Sequence, residues 1–169
     1  MSHYCYDCGT SLGSHMIEGR LREVCPACGK VHYQQLKVGA GCAIISEDGL
    51  LLVQRAIEPW RGTWYLPAGY SEVDETPNAT AERETREETG LIVTTSELVG
   101  VFLYDTDPRG NGILVLYKAD VINGIIAPGP EALAASYFSP LKVRQLSIAS
   151  AHWEAVQKCL ELMEYGTRH

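Results

Sequence analysis

The sequence has no uninterrupted apolar run near the ~18 residues that a membrane-spanning helix needs, so no helical membrane protein is expected from it. Its opening residues, MSHYCYDCGT, lack the basic start and apolar stretch of a signal peptide, and a cytoplasmic location is the expectation. Basic residues are in short supply, with 14 Lys and Arg against 21 Asp and Glu in 169 residues, for a net charge of −7. Binding a nucleic-acid backbone needs clustered cations, so nucleic acid is not expected as an obligate partner. No internal repeat or low-complexity tract is visible, which sets aside solenoids and disordered tails. What remains, 46% hydrophobic and 21% charged residues, is the balance of a globular chain long enough for one ordinary domain and a small appendage.

The acids are unevenly spread. Residues 72–88, EVDETPNATAERETREE, hold seven acids and two bases, so this window alone carries −5 of the −7. Thr76 is a candidate helix N-cap, Pro77 fits the first helical position, and Gly90 is a typical residue just past a helix end, so a helix is predicted between them. On that helix Glu84, Glu87 and Glu88 stand at i, i+3 and i+4, which places three carboxylates on one face. Like charges so placed repel. Either the face is merely solvated and eased by Arg83–Glu87 pairing, or a hard divalent cation, Mg²⁺ or Mn²⁺, removes the conflict. The shortage of large apolar residues in this helix (Ala79, Ala81 and Thr85 are small) and the Gly-containing loop before it favour the second reading.

Six cysteines are present. Four of them, Cys5, Cys8, Cys25 and Cys28, form two CxxC pairs, each followed by Gly. Two such knuckles supply the four tetrahedral thiolates that Zn²⁺ prefers and leave no open position, so a structural zinc is expected. Residues 1–36 carry no net charge at neutral pH, which favours a metal staple for a segment too small for its own core over a nucleic-acid module. Cys42 and Cys159 fall in a strand and a helix and are expected in the core.

Elsewhere, the apolar runs around 38–46 and 50–57 flank Asp48-Gly49 and predict a hairpin. A short strand is expected around 64–66, longer strands over 98–105 and 113–122, and a short one near Tyr137. A final helix over about 147–164, capped by Ser147, would place Trp153, Val156, Leu160 and Met163 on one stripe. Pro108, Gly110 and Gly112 mark a loop between the two longer strands.

The run Gly69-x5-Glu75-x7-Arg83-Glu84-x2-Glu87-Glu88-x-Gly90-Leu91 resembles the Nudix box, G-x5-E-x7-R-E-U-x-E-E-x-G-U, at every fixed position over 23 residues. Thr85 stands where a larger aliphatic is usual, and Asp74 and Ala68 where many members have Gly. The order of four-cysteine ribbon, Val31-His32-Tyr33, first strand and Arg55-Ala56 resembles the Nudix branch with an N-terminal zinc ribbon. The resemblance implies an α/β fold, a Nudix α/β/α sandwich with a mixed sheet. A ribbon over residues 1–36 would precede a hydrolase domain over 37–169. It implies hydrolysis of a diphosphate joined to a further moiety. Glu84, Glu87, Glu88 and the Ala68 carbonyl would hold Mg²⁺ or Mn²⁺, while Arg83 and Glu75 would orient loop and helix.

Arg55 and Arg61 are candidate phosphate contacts, and Glu84, Glu88 and Glu131 are candidate general bases. Tyr33, Trp60, Trp64, Phe102, Tyr104 and Tyr117 could stack a base. The SQPWPFPxS motif of NADH pyrophosphatases is missing; VGVFLYDTDP stands there, so NADH is not the expected substrate. Ribbon-bearing relatives act on ADP-ribose or FAD, and a small-molecule nucleoside diphosphate derivative of that kind is expected. A homodimer is compatible with the resemblance. Two alternatives keep the fold: a nucleotide-sensing module, and an isomerase of a prenyl diphosphate. The complete box argues against both.

Overall fold

The computed structural model describes residues 3–105 and 107–166. The chain divides after Gln35 into two compact units. In the first, β1 (Gly13–Ile17), β2 (Arg20–Val24) and β3 (Val31–His32) form an antiparallel sheet in that order. Glu18 and Gly19 turn the β1–β2 hairpin, both with positive φ (51° and 75°), the signature of a tight two-residue turn. Few apolar side chains are buried here: Cys5 and Cys25 are the buried hydrophobic residues among those described in this unit.

The second unit begins with β4 (Lys37–Ala43), β5 (Ile45–Ser46) and β6 (Gly49–Arg55), then β7 (Trp64–Tyr65) and β8 (Ala68–Tyr70). Helix α1 (Pro77–Thr89) follows, then β9 (Leu91–Tyr104), β10 (Gly112–Gly124), β11 (Ala132–Phe138), α2 (Pro140–Val143), a 3₁₀ turn at Ser150–His152 and α3 (Trp153–Gly166). One sheet runs β8-β4-β10-β9; β4 and β10 are parallel and the other pairs antiparallel, so it is mixed. A second, antiparallel sheet runs β11-β6-β5, with β7 paired to β6. β4 is buried over most of its length, as expected of a parallel strand covered on both faces.

One core cluster joins Leu50 and Leu52 of β6, Leu114 and Leu116 of β10, and Val156, Cys159 and Leu160 of α3. A second lies under α1, where Ala81 meets Ala40, Cys42, Leu91, Val93 and Ala119. Cys42 and Cys159 are fully buried core residues, as the sequence predicted. α1 approaches the sheet on Thr80, Ala81, Thr85 and Thr89, a face of small side chains that needs no large apolar residue.

Several boundaries differ from expectation. The hairpin turn occupies Glu47–Asp48, and Gly49 already pairs with Ser46. β9 starts seven residues before the predicted strand, because Leu91–Thr95 continue the ladder against β10 beyond a bulge at Ser96 and Glu97. The last helix starts at Trp153, not near 147. Ser147 is no cap: its carbonyl accepts from the Trp64 N–H (2.8 Å), and Ile148 bridges to Trp64. Trp153 is half exposed rather than central to the stripe.

Candidate active site

The box residues form a linked network around Arg83. Its Nε and one terminal nitrogen grip both oxygens of Glu75 (2.6 and 2.8 Å). That nitrogen also reaches the Tyr70 carbonyl (3.1 Å), and the other reaches Glu84 (2.8 Å) and Glu87 (3.1 Å). The Arg83 fork brings the Glu75 carboxyl down to about 2. Glu75 also accepts from the Thr80 hydroxyl (3.0 Å), which ties the loop to the first turn of α1. Thr76 is the N-cap residue in extended conformation, but its side chain makes no capping bond. Gly90 ends the helix with φ 77°, and its N–H bonds the Arg86 carbonyl. At Gly69 a Cβ would overlap the Glu84 carboxylate, so any larger residue there would push that carboxylate aside.

A cleft of about 420 Å³ is lined by Glu84 and Glu88 of α1, Ala68, Gly69 and Tyr70 of β8, Glu72, Arg55, Glu131 and Tyr104. This is within the size range of ligand pockets. Glu88 accepts from the Tyr65 hydroxyl and from the Ala68 N–H (3.0 Å). Burial, reinforced by the charge of Glu84, pushes Glu88 up to about 8 despite those bonds. Burial also raises Glu84. Burial and the Glu88 charge keep the Tyr65 phenol protonated, so it stays a donor.

The loop carrying Glu131 is fastened to the end of α1: Ala127 N–H bonds the Thr89 carbonyl (2.7 Å) and Gly129 N–H the Glu88 carbonyl (3.2 Å). These bonds satisfy carbonyls that a helix end leaves open.

The other candidates separate. Glu87 lies outside the cleft lining with its carboxylate on Arg83, and Arg61 is an exposed residue outside it. Tyr33 belongs to the first unit, where Arg22 sits over its ring (4.6 Å). Trp64 packs edge-on against Phe138 (4.7 Å), and Phe102 packs against the main core. Tyr117 packs against the cluster under α1, whereas Trp60 lines the cleft.

Five polar or aromatic lining residues escaped the sequence reading: Tyr65 and Tyr70, already described, and Asp107, Arg109 and His152. Asp107 and Arg109 form an ion pair (2.7 Å) in the β9–β10 loop, and His152 sits edge-on to Tyr65 (5.4 Å). Burial, with Arg55 nearby, brings His152 down to about 4, so it is a neutral imidazole. The clue to the ion pair was an acid and a base two residues apart in a turn-forming D-P-R-G run; His152 offered none.

Two donor sets suit metals. Cys5, Cys8, Cys25 and Cys28 converge, with sulfur–sulfur separations of 3.4 Å (Cys8–Cys25), 3.8 Å (Cys5–Cys28) and 4.0 Å (Cys8–Cys28). Four ligands at ~2.3 Å in a tetrahedron lie about 3.8 Å apart, so the cluster fits Zn²⁺. Hydrogen bonds with Thr10 bring Cys8 down to about 6, towards the thiolate that metal binding needs. Among the described residues this is the one group of three or more such side chains gathered closely enough to hold an ion. The helix carboxylates are not so gathered, since Glu84 and Glu87 turn to Arg83 and Glu88 to Tyr65 and Ala68. Their all-oxygen character, and the placing of Glu84 and Glu88 side by side in one cleft, still match a hard cation.

The NUDIX domain family matches residues 35–159, and the zinc-ribbon family described as Nudix N-terminal matches residues 3–34. The ADP-ribose pyrophosphatase of Methanocaldococcus jannaschii is 40% identical over 97 residues, 56% of this chain and 57% of that protein. The NAD-capped RNA hydrolase NudC of Stutzerimonas stutzeri is 28% identical over 130 residues, 77% of this chain and 45% of that protein. The matches thus span about half the length of these curated relatives. The crystal structure of a NUDIX hydrolase from Nitrosomonas europaea superposes with a TM-score of 0.79 at 32% identity, over 96% of this chain and 93% of that one. With the box, the mixed sheet and the four-cysteine ribbon in place, the chain belongs to the Nudix hydrolase family, in the group that carries an N-terminal zinc ribbon.

Proposed function

We propose that the protein hydrolyses the diphosphate of a nucleoside diphosphate derivative of ADP-ribose or FAD type. Water attacks one phosphorus, the bridging oxygen leaves with the other phosphate, and two phosphomonoesters result. The observation that carries this reading is the pair of half-buried carboxylates, Glu84 and Glu88, in one cleft with Arg55 and Glu131. A binding module has no use for two adjacent acids, half withdrawn from solvent, whose charges oppose each other. The similarity to an ADP-ribose pyrophosphatase supports the choice of substrate.

Glu84, Glu87, Glu88 and the Ala68 carbonyl would hold Mg²⁺ or Mn²⁺. Such an ion screens phosphate charge and lowers the pKa of bound water. Arg83 and Glu75 orient the helix against the loop. Arg55 faces the phosphates, and Tyr104 flanks the substrate. Glu131, exposed and not engaged with Arg83, joins Glu84 and Glu88 as a candidate to take the water proton. Residues 1–36 serve as a Zn²⁺-stapled ribbon and 37–169 as the hydrolase domain, in a reducing compartment that leaves all six cysteines free.

The test is a panel of ADP-ribose, FAD, NADH, dinucleoside polyphosphates and NAD-capped RNA with Mg²⁺ or Mn²⁺, scored for released phosphomonoesters. Turnover of ADP-ribose or FAD above the rest is expected. No turnover of any member would replace the hydrolase by the nucleotide sensor.

A further inference from the structure

The β9–β10 loop builds something the hydrolytic chemistry does not use. Asp107 has only 2% of its side chain exposed and is saturated. It accepts from the Arg109 backbone N–H (2.8 Å), from Arg109 Nε (3.0 and 3.2 Å), from an Arg109 terminal nitrogen (2.7 Å) and from the Tyr70 hydroxyl (3.3 Å). A buried acid used this way fixes one plane, the Arg109 guanidinium. Tyr70, itself stacked between Lys37 (5.0 Å) and Arg109 (5.5 Å), backs that plane.

Across the cleft stands Trp60, whose ring centre is 6.0 Å from the Arg109 guanidinium carbon. Two planes in direct contact stand ~3.5–4 Å apart, and a flat ring between them needs about 7–8 Å. The guanidinium carbon thus lies over the Trp60 ring but beyond direct stacking distance, and a flat ring enters between them once the two part by a further ~1–2 Å. Trp60 is also held in a left-handed backbone conformation (φ 66°). Its carbonyl is bonded by the Thr63 hydroxyl (2.6 Å) and N–H (3.1 Å), and Arg55 Nε bonds the Pro59 carbonyl beside it (2.8 Å). Non-glycine residues persist in that region where the surroundings over-determine them, often at ligand clamps.

Arg109 is a poor phosphate ligand because Asp107 already neutralises it. A neutral, planar, electron-rich group suits the slot instead, stacked on indole on one side and guanidinium on the other. We infer that Trp60 and Arg109 form a nucleobase slot, with Asp107 and Tyr70 as the positioning residues that hold Arg109 flat. The slot rests on the hydrolase reading for its place in the reaction: it holds the base while the diphosphate lies over Glu84 and Glu88.

The experiment measures binding without turnover, in EDTA, on the full chain. AMP and ribose 5-phosphate are titrated against tryptophan fluorescence and by calorimetry. AMP is expected to quench fluorescence and to bind more tightly than ribose 5-phosphate. Base–aromatic stacking predicts that Trp60→Leu weakens AMP about 5- to 100-fold, leaves ribose 5-phosphate unchanged, and is largely rescued by Trp60→Phe. Arg109→Lys, which leaves the buried Asp107 a counter-charge but removes the flat guanidinium, should lower the same AMP preference and decides the matter if Trp60→Leu loses its thermal transition. Equal weakening of both ligands, or none in either variant, overturns the slot. No AMP preference in the parent protein, with its ADP-ribose turnover intact, would sink the slot alone. AMP binding through Trp60 with no turnover of any substrate would sink the hydrolase reading alone.

Discussion

Glu88→Gln tests whether the cleft is built for a cation at the expense of the metal-free fold. In the structure Glu88 is pushed up to about 8, against an ordinary glutamate value near 4.5. An acid whose folded pKa lies above its unfolded value stabilises the fold only while protonated. Its contribution is complete below pH 4.5 and is lost as pH rises from 4.5 through 8. At pH 7 the loss approaches 1.36 kcal/mol for each of about 2.5 pH units, or about 3 kcal/mol as a ceiling. Glutamine meets the same partners: its oxygen can accept from Ala68 N–H and its amide can donate to the Tyr65 oxygen.

In EDTA at pH 7, Glu88→Gln is therefore expected to be more stable than the parent by up to ~3 kcal/mol, about 10 °C in melting temperature for a unit this size. The gap should close by pH 5. In saturating Mn²⁺ the order should narrow or reverse, because only the parent gains from binding the ion, while turnover falls on the order of 10²-fold or more. Urea unfolding at a series of pH values, with and without metal, reads all of this. A variant equal to or weaker than the parent at pH 7 in EDTA would refute the reasoning.

Arg83→Lys keeps the charge but loses the fork that reaches Glu75, Glu84 and Glu87 together. A loss of about 1–3 kcal/mol is expected by urea unfolding, with turnover falling as well. Gly69→Ala places a methyl group on the Glu84 carboxylate. The flexible side chain can move aside at small cost in stability, and a weaker Mn²⁺ affinity is expected by calorimetry; unchanged affinity would argue against Glu84 as a ligand. Cys25→Ser should bring zinc content by atomic absorption from about one per chain to near zero, and a zinc-free parent, freshly purified, would contradict the cluster's assignment.

Where local rules acted alone, the sequence was readable. The box helix has Pro77 at its start and Gly90 at its end, and both bounds follow from backbone chemistry that neighbours cannot override. The β5–β6 hairpin was equally legible apart from one residue of turn position. β9 was not, because Thr94 and Thr95 are polar residues kept in the strand by the ladder with β10, and Ser96 and Glu97 form a bulge that interrupts the alternation. The missed α2 is a single turn begun by Pro140, too short to show periodicity. The start of α3 was displaced because Trp64 claims Ser147 and Ile148. At the site, fixed spacing on one helix made Glu84 and Glu88 visible. Asp107, Arg109 and His152 reach the cleft from a loop and a 3₁₀ turn far along the chain, and no local pattern reports such meetings.

The bonds from Ala127 and Gly129 to the last turn of α1 have a dynamic consequence. Those amides open to solvent only when the helix end itself opens, so their hydrogen exchange should follow that of α1 rather than that of a surface loop. A slow, shared exchange rate across 86–90 and 127–129 would mean that the loop acid and the helix acids move as one body. The separation between Glu131 and Glu88 would then be set by main-chain geometry, and the cleft could open towards Trp60 or Arg109 without disturbing it.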